Sequence, residues 1–473
     1  MFPLAAASAA SSLLTRRQAL GAGASLLAAI VASPARLRGG SIEPVRLSTF
    51  TADVTVPLGH GMMGGAWLSK SVKDPLEAHG IILMQGQTRV VWVSVDWCEI
   101  RNDAYEQWQA ALARAVDTRP EHVMITTVHQ HDAPVADLRG ERILRERSLE
   151  GTICDREFHA RALERVLIAA RLALREARRA THFGVGQARV SQVASNRRYI
   201  MPDGQVRFDR TSSTRNAFAI AADEGLIDPH LRTLSFWDHD APLAALSFYA
   251  VHPMSHYGEG EVSADFPGLA RRRRQKELPG AHQIYCSGCS GNVTAGKYNN
   301  GAPENRAILA DRLRKAMEQA WKDTKRQPLH RMDVRVENVA LRPRSEPAFT
   351  TPALEARLTA ATPRFQQCLA AMGLSWRRRC DSGTPVQIPA IDFGGAVMLL
   401  LPGEAYVEFQ IAAQKMRPES FVCVAGYGDG ATGYIPTEKH IAEKDPNLSD
   451  WCWVDPGAEA LLLATMRKAL RKT

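Results

Sequence analysis

Residues 90–96, Val-Val-Trp-Val-Ser-Val-Asp, form a continuous apolar run that ends in a polar residue. Such a run is typical of a strand that is buried on both faces. The spacing of apolar residues predicts a helix over 103–116, and residues 122–127 predict a second strand that leads into His129. A long amphipathic helix is predicted over 157–178. This alternation of strand and helix indicates an α/β fold.

The rest of the chain continues the mixture of strands and helices. Strands are predicted at residues 207–220, 234–251, 334–341, 397–401 and 421–425, and helices at 304–321, 354–372 and 458–470. The sequence has no internal repeat and no long low-complexity linker. We therefore expect mixed sheets flanked by helices in a single large domain, residues 36–473.

The first 35 residues have the pattern of a twin-arginine export signal. Arg16 and Arg17 precede a short apolar stretch rich in glycine and alanine, and Ser33-Pro34-Ala35 resembles a cleavage site. The apolar stretch is too short to span a bilayer comfortably, although an uncleaved anchor is the alternative interpretation. No later segment reaches the roughly 20 apolar residues of a span. We expect the twin-arginine export machinery as a partner, a periplasmic or secreted location, and no integral membrane span in the mature form.

The composition is that of a globular protein. Hydrophobic residues make up 45% and charged residues 23% of the chain, which excludes a disordered, fibrous or multi-span membrane protein. The formal net charge of +9 is weak evidence for an acidic partner. We interpret the densest basic run, Arg271 to Arg274, as a solvated helix face rather than a phosphate or membrane contact. A nucleic-acid function is not expected, because no other nucleic-acid motif accompanies this run.

The chain has eight cysteines, and an oxidising compartment would permit disulfides. Their connectivity cannot be read from the sequence, but we favour a pair of Cys368 and Cys380, which flank a predicted loop. Cys286 and Cys289 form a single CxxC motif without a second half. We interpret them as a disulfide or as two buried thiols, and not as a structural zinc site.

Candidate metal ligands follow the ends of predicted strands. His129 and His131 are two residues apart, so their side chains point to the same side of an extended segment. His252 and Glu404 each follow another predicted strand. Strand ends line the usual ligand crevice of an α/β sheet, and nitrogen and oxygen donors at such points suit zinc with an open position. Each residue taken alone is more often structural, a satisfied histidine or a turn glutamate.

The chain resembles the neutral/alkaline non-lysosomal ceramidase family over essentially its whole mature length. No single matching stretch is decisive, but their order and approximate spacing together are specific. The matching stretches are Met62-Met63-Gly64, Val93-Ser94-Val95-Asp96, residues 125–134, Asn196-Arg197, Val251-His252, Ser263-Ala264-Asp265, Gly291-Asn292-Val293-Thr294, Leu401-Pro402-Gly403-Glu404 and Gly433-Tyr434-Ile435-Pro436-Thr437.

The resemblance implies a zinc ion held by two histidines, one glutamate and one tyrosine. His129-Gln-His131-Asp-Ala-Pro is similar to the family's His-Thr-His-Ser-Gly-Pro stretch, which makes His129 the first ligand. The other three ligands would be His252, Glu404 and Tyr434. His131 would then be a close neighbour of the metal, available for a hydrogen bond or for proton transfer to the departing amine.

The resemblance also implies roles for residues around the metal. Arg197 is similar to the family's arginine that contacts the substrate amide, and a surface salt bridge is the alternative for it. Thr294 stands where the family has serine in Gly-Asp-Val-Ser. It keeps a hydroxyl that can hydrogen-bond to a tetrahedral intermediate, but it is more hindered as a nucleophile. Tyr434, His131 and Thr294 are the candidates that would stabilise the oxyanion.

The expected activity is zinc-dependent hydrolysis of an amide bond in a ceramidase-like catalytic domain, with an N-acyl sphingosine or a related N-acyl lipid as the substrate. The family's C-terminal immunoglobulin-like domain is expected to be absent, because only 16 residues follow Gly457. Together with Thr294, this departure favours an alternative, a zinc hydrolase of a non-sphingolipid amide, an ester or a lactone. An alternative of another class is a periplasmic binding or accessory protein with a degenerate site.

Overall fold

Three mixed sheets form the centre of the protein. The computed structural model describes residues 43–149, 152–360 and 363–472, which belong to one compact unit. The predicted α/β class, with mixed sheets and flanking helices in a single large domain, is confirmed. The predicted export signal at residues 1–35 lies outside the described residues and stays a prediction.

The sheets contain five, five and four strands. The first sheet has the order Arg178–Arg179, Arg46–Asp53, Glu77–Gln85, Thr88–Val95 and Val123–Thr127. The second has the order His282–Ser287, Ala241–Tyr249, His230–Asp238, His182–Arg189 and Lys325–Pro328. The third has the order Asp333–Val339, Val386–Asp392, Ala396–Leu400 and Phe421–Ala425. The α-helices of the described ranges are Asn102–Val116, Leu138–Arg145, Arg156–Ala173, Ala217–Ala221, Asp265–Glu277, Asn305–Lys322, Thr351–Thr359, Arg364–Asp381, Val407–Met416, Glu438–Ala442 and Ala458–Ala469.

Each sheet contains one parallel pair of strands, and a helix connects the two strands of each pair. Thr88–Val95 pairs with Val123–Thr127, Ala241–Tyr249 with His282–Ser287, and Ala396–Leu400 with Phe421–Ala425. A parallel pair needs such a crossover. Because parallel strands end on the same side, each sheet presents two carboxyl ends at one edge.

The predicted strand at residues 90–96 is buried because a second sheet and a third sheet pack near it. Trp92 of the first sheet, Phe248 of the second and Met398 of the third belong to one apolar cluster. The rings of Trp92 and Phe248 lie 6.0 Å apart, edge to face. A strand covered on both sides reads as a continuous apolar run, which is the pattern seen in the sequence.

Two predicted elements are wrong. Residues 207–220 contain only the end of a short strand, Val206–Arg207, and the start of the helix Ala217–Ala221. The predicted helix at 354–372 is two helices, the first ending at Thr359 and the second beginning at Arg364, directly after Pro363. Proline disfavours helical geometry in the residue before it and lacks the amide hydrogen, so the apolar spacing alone could not carry one helix through it.

The arginine run is not a solvated face. Arg271 and Arg274 are buried, since residues three apart on the helix Asp265–Glu277 share its inner side. Arg271 forms ion pairs with Glu77 and Asp96 at 3.0 and 2.9 Å. The run is therefore part of a buried charge cluster.

The favoured disulfide is also wrong. Cys368 and Cys380 lie on one helix, Arg364–Asp381, and not on either side of a loop. Twelve residues of helix separate them by about 18 Å, whereas a disulfide needs Cα atoms within about 7 Å. All eight cysteines lie in the described ranges and are free thiols there, including the buried Cys286 and Cys289. No helix in the described ranges combines the length and the apolar character needed to cross a membrane.

Candidate metal centre

The carboxyl ends of the three parallel pairs meet at one place. The amide of Thr127, in the first sheet, donates to the carbonyl of Tyr427, which follows the third sheet, at 3.0 Å. The amide of Gly426 donates to the carbonyl of Ser287 in the second sheet at 2.9 Å. The Ser287 hydroxyl in turn donates to the carbonyl of Val128 at 2.7 Å. Hydrogen bonds thus join all three sheets where the loops that follow these strands begin.

These loops bring His129, His252 and Glu404 together. Glu404 Oε2 lies 3.2 Å from His129 Nε2 and 3.6 Å from His252 Nε2, and all three side chains are buried. Neither His252 Nε2 nor Glu404 Oε2 has a well-formed hydrogen bond among the described residues. Buried polar atoms are normally satisfied, and two imidazole nitrogens with a carboxylate are a zinc donor set. The residues present therefore fit a metal ion.

Both histidines are held by their other ring nitrogen. Nδ1 of His129 lies 2.9 Å from the carbonyl of Cys98, and Nδ1 of His252 lies 3.2 Å from the carbonyl of Ser290. A carbonyl oxygen only accepts, so each Nδ1 carries a hydrogen, and in the neutral form of each ring the lone pair is on Nε2, which faces Glu404. Such outer contacts orient histidines that bind metals.

The backbone at the centre is in an unusual conformation. His129 and Tyr427 have positive φ values of 69° and 55°, although neither is glycine. Their rings stack at 4.2 Å with a 20° interplanar angle. Left-handed conformations of bulky residues are uncommon and concentrate where a side chain must be aimed at a site.

Glu404 concentrates negative charge at this point. Burial disfavours a charged His129, but Glu404 and Cys98 outweigh burial and hold the pKa of His129 well above its ordinary value. Burial first, and then the positive charge of His129, lower the pKa of His131 and His252 well below the ordinary value. Glu404 therefore concentrates negative charge where a cation could bind, and His252 is held neutral, the form in which histidine binds metals. A bound cation would take the place of the proton that Glu404 favours on His129.

Tyr434 and Arg197 form a pair beside His129, His252 and Glu404. Tyr434 is in register with Glu404 in a short parallel bridge, and its ring lies 6.5 Å from that of His252. Arg197 Nη1 donates to the Tyr434 hydroxyl at 2.8 Å, and both side chains are buried. Burial raises the pKa of Tyr434, and Arg197 opposes this rise. The surface salt bridge considered for Arg197 does not describe this buried side chain.

His131 faces the same centre. Its ring lies 5.5 Å from that of His129 and 5.4 Å from that of His252. Within the described part of the chain its Nδ1 is buried and has no hydrogen-bond partner. His131 therefore borders the group formed by His129, His252 and Glu404.

Thr294 is near in the backbone but its hydroxyl is occupied elsewhere. Its backbone forms a bridge with His252. Its hydroxyl donates to the carbonyl of Thr211 at 2.6 Å and accepts from the amide of Gly296 at 3.2 Å. The hydroxyl thus stabilises a turn, and its catalytic role stays a prediction.

A cavity of about 200 Å³ opens onto the centre. Its inner end is formed by Cys98, His129, His131, Glu404 and Tyr434. Its apolar wall is formed by Met63, Phe365, Leu369 and Trp451, and its polar wall by Asn447, Ser449 and Asp450. The Phe365 and Trp451 rings stack at 6.4 Å, and Trp451 Nε1 donates to Glu99 at 3.3 Å. These two contacts hold the Trp451 side chain in the wall of the cavity.

Sequence reasoning missed Cys98, Tyr427 and Trp451. Tyr427 comes two residues after the strand Phe421–Ala425, so the strand-end argument that found His129 applies equally to it. Cys98 likewise follows the strand Thr88–Val95 by three residues. No pattern in the sequence singles out Trp451.

Comparisons with known proteins identify similar solved structures. No model of a protein family matches the chain, and no curated protein matches it either. The structure is similar to that of neutral ceramidase from Pseudomonas aeruginosa, with a TM-score of 0.65 and 18% sequence identity over 90% of this chain and 74% of that one. It is equally similar to a ceramidase complexed with C2, with the same TM-score and identity over 90% of this chain and 75% of that one. The chain therefore has the neutral ceramidase fold, as the sequence resemblance predicted.

Proposed function

We propose that this protein is an exported zinc-dependent hydrolase that cleaves an amide bond as a ceramidase does. The observation that carries the proposal is the buried cluster of His129, His252 and Glu404, whose donor atoms all lie within 4.8 Å of one another. His129 and Glu404 of this cluster line a cavity, and the fold is shared with neutral ceramidase.

Zinc would be held by His129, His252 and Glu404, with Tyr434 as the fourth ligand that the family resemblance implies. A zinc ion there would activate water near neutral pH and polarise the carbonyl of the amide. The reaction adds one water across the C–N bond and yields a carboxylic acid and an amine.

Tyr434 and Arg197 would stabilise the oxygen that gains charge in this reaction. As a hydrogen-bond donor Tyr434 would keep its phenol hydrogen, whereas as the fourth zinc ligand it would bind through the oxygen to which Arg197 donates. One donor of this kind contributes about 10²–10³ in kcat.

His131 would move the proton. In its neutral form it could accept a proton from the attacking water and deliver it to the departing amine. Its position at the wall of the cavity, beside His129 and Glu404, supports this role.

The volume of the cavity limits the size of the substrate. The names of the similar structures suggest an N-acyl sphingosine or a related N-acyl lipid, but about 200 Å³ is below the roughly 300–1,000 Å³ of sites for drug-sized ligands. This observation supports the second candidate, a smaller non-sphingolipid amide, an ester or a lactone. Turnover of an N-acyl sphingosine, a short N-acyl amine and a simple ester of matched acyl groups would decide between the two.

His252→Ala tests the proposal. We expect it to lose both the metal at this centre and hydrolysis, because one of two imidazole donors is removed, whereas the exposed control His239→Ala keeps both. Full metal content and turnover in His252→Ala would contradict the ligand assignment. A wild-type protein that purifies without zinc and hydrolyses none of the three substrates would favour the binding or accessory protein.

Export is tested separately. We expect Arg16→Lys with Arg17→Lys to retain the protein in the cytoplasm, because the paired arginines are the feature that the twin-arginine machinery reads. Cell fractionation measures this, and an unchanged distribution would contradict the proposed export route.

A further inference from the structure

A second cluster of metal-binding side chains lies in a cleft outside the active-site cavity. The cleft has a volume of about 880 Å³ and is lined by Glu77, His79, Arg271 and His282, among others. Asp96 lies directly beneath Glu77, whose amide donates to Asp96 Oδ2 at 3.0 Å. The donor atoms of Glu77, His79 and Asp96 all lie within 4.8 Å of one another, as do those of the candidate catalytic centre.

The donor geometry fits a tetrahedral metal site. His79 Nε2 lies 3.4 Å from Glu77 Oε2. Two ligand atoms at about 2.0–2.1 Å from zinc, at the tetrahedral angle, are separated by roughly 3.3–3.4 Å. The His282 ring lies 5.4 Å from that of His79.

The two histidines are anchored in the way that metal-binding histidines are. His79 Nδ1 lies 3.1 Å from the Thr51 hydroxyl, and His282 has a backbone hydrogen bond to Phe50 in the same strand. The Nε2 atoms of both histidines are buried and have no well-formed hydrogen bond in the described ranges. His79 as a whole is only 6% exposed. Two orphaned nitrogens beside two carboxylates point to a ligand rather than to a finished hydrogen-bond network.

Two arginines lie beside the carboxylates of the cluster. Arg271 donates to Glu77 at 3.0 Å and to Asp96 at 2.9 Å, and Arg272 donates to Glu77 at 3.4 Å. Arginine bonds to ligating carboxylates are usual outer contacts of metal sites.

We propose that Glu77, His79 and Asp96 form a structural site for a divalent transition metal such as zinc. These residues belong to the first sheet or follow directly on it, and His282 begins the neighbouring edge strand of the second sheet. A metal bound there would stabilise the end of the first sheet from which the chain continues toward the candidate catalytic centre. Asp96 also links directly to the active-site loop, because its carbonyl accepts a hydrogen bond from the Gln130 side chain.

The test separates this site from the catalytic one. The full-length variant with His252→Ala and Glu404→Gln lacks donors of the catalytic centre, and we expect it to bind one equivalent of zinc in calorimetry after chelator treatment. Adding His79→Ala should weaken that binding at least about 100-fold, since even outer-shell losses cost 10–100-fold. Adding the exposed control His239→Ala should leave it unchanged. Zinc should raise the unfolding midpoint only where His79 is intact.

The opposite view is a metal-free ion-pair cluster in which Arg271 neutralises the carboxylates. It predicts no stoichiometric zinc binding in the double variant, and that result would overturn the proposal. Zinc binding that persists in both His79→Ala and the isosteric Glu77→Gln would overturn it too. Circular dichroism establishes that each variant is folded, and Glu77→Gln serves as the test if His79→Ala is not.

Discussion

The contact between Arg197 and Tyr434 leads to a prediction for a double-mutant cycle. Arg197 Nη1 lies 2.8 Å from the Tyr434 hydroxyl, and the guanidinium also lies over the ring at 5.2 Å. If Arg197 acts on catalysis through Tyr434, its removal has little further effect once the hydroxyl is gone. The variants are Tyr434→Phe, Arg197→Met and the combination of both.

The expected losses follow from the geometry. Tyr434→Phe removes one donor to the developing oxyanion, which lowers kcat by about 10²–10³. Arg197→Met removes a buried charge-assisted hydrogen bond worth about 1.5–3 kcal/mol, and this corresponds to roughly 10–150-fold. The double variant should be no slower than Tyr434→Phe alone, so the coupling energy should be about 1.5–3 kcal/mol.

The assay is kcat/KM on the best amide of the substrate series, with metal content measured for each variant. Three protein ligands suffice for a catalytic zinc site, so the metal should remain in all three variants. The reasoning is refuted if the two single losses multiply in the double variant, since Arg197 then acts independently of Tyr434, for instance directly on substrate. Retention of more than a tenth of the activity in Tyr434→Phe refutes the oxyanion role.

Three further predictions concern the cavity wall, stability at acidic pH and the turn before Tyr434. Trp451→Ala should raise kcat/KM for long acyl chains relative to short ones at least about tenfold, measured over a series of chain lengths; an unchanged profile would contradict the role of this wall. Burial lowers the pKa of His159 to about 4. As the pH falls from 6.5 to 4, this residue is therefore protonated in the unfolded chain before it is protonated in the folded one. The free energy of unfolding falls by about 3 kcal/mol as a result. His159→Gln, which still accepts from Trp108, should lose less stability between pH 7 and 4 in urea titrations, and an unchanged loss would refute this. A Cβ at Gly433 (φ 59°) would lie 2.0 Å from a backbone oxygen. Gly433→Ala should therefore lower the free energy of unfolding by at least about 2–3 kcal/mol, whereas the control Gly86→Ala, at a similar φ of 56° but in open space, should lower it by about 1–2 kcal/mol. Equal losses in the two variants would contradict the steric argument.

The elements that the sequence predicted well are those whose pattern is local. The strand Thr88–Val95 and the helix Asn102–Val116 have apolar residues at the period of their own structure, so a short window suffices to recognise them. The predicted helix over 354–372 failed for the complementary reason. Apolar spacing continues across Pro363, but a proline at that point ends one helix and begins another.

The environment of a charge or a thiol is not local. In the sequence, Arg271 and Arg274 look like part of a solvated basic run. The carboxylates that pair with Arg271 lie about 175–194 residues away in the chain, so no local window shows them. Cys368 and Cys380 appeared to be partners because their sequence spacing suits a loop. The structure shows that both lie on one helix, several turns apart, which is too far for a disulfide.

The sequence by itself determined the class of the fold and the residue types at the strand ends, because both follow from local periodicity and from the order of short motifs. Only the tertiary structure decided which of these residues meet. His129, His252 and Glu404 belong to loops of three different sheets, and the spacing between sheets is set by side-chain packing that no local pattern encodes. Three further features likewise depend on the tertiary structure: the Thr294 hydroxyl donates to Thr211, Arg197 donates to Tyr434, and the cavity has a volume of about 200 Å³.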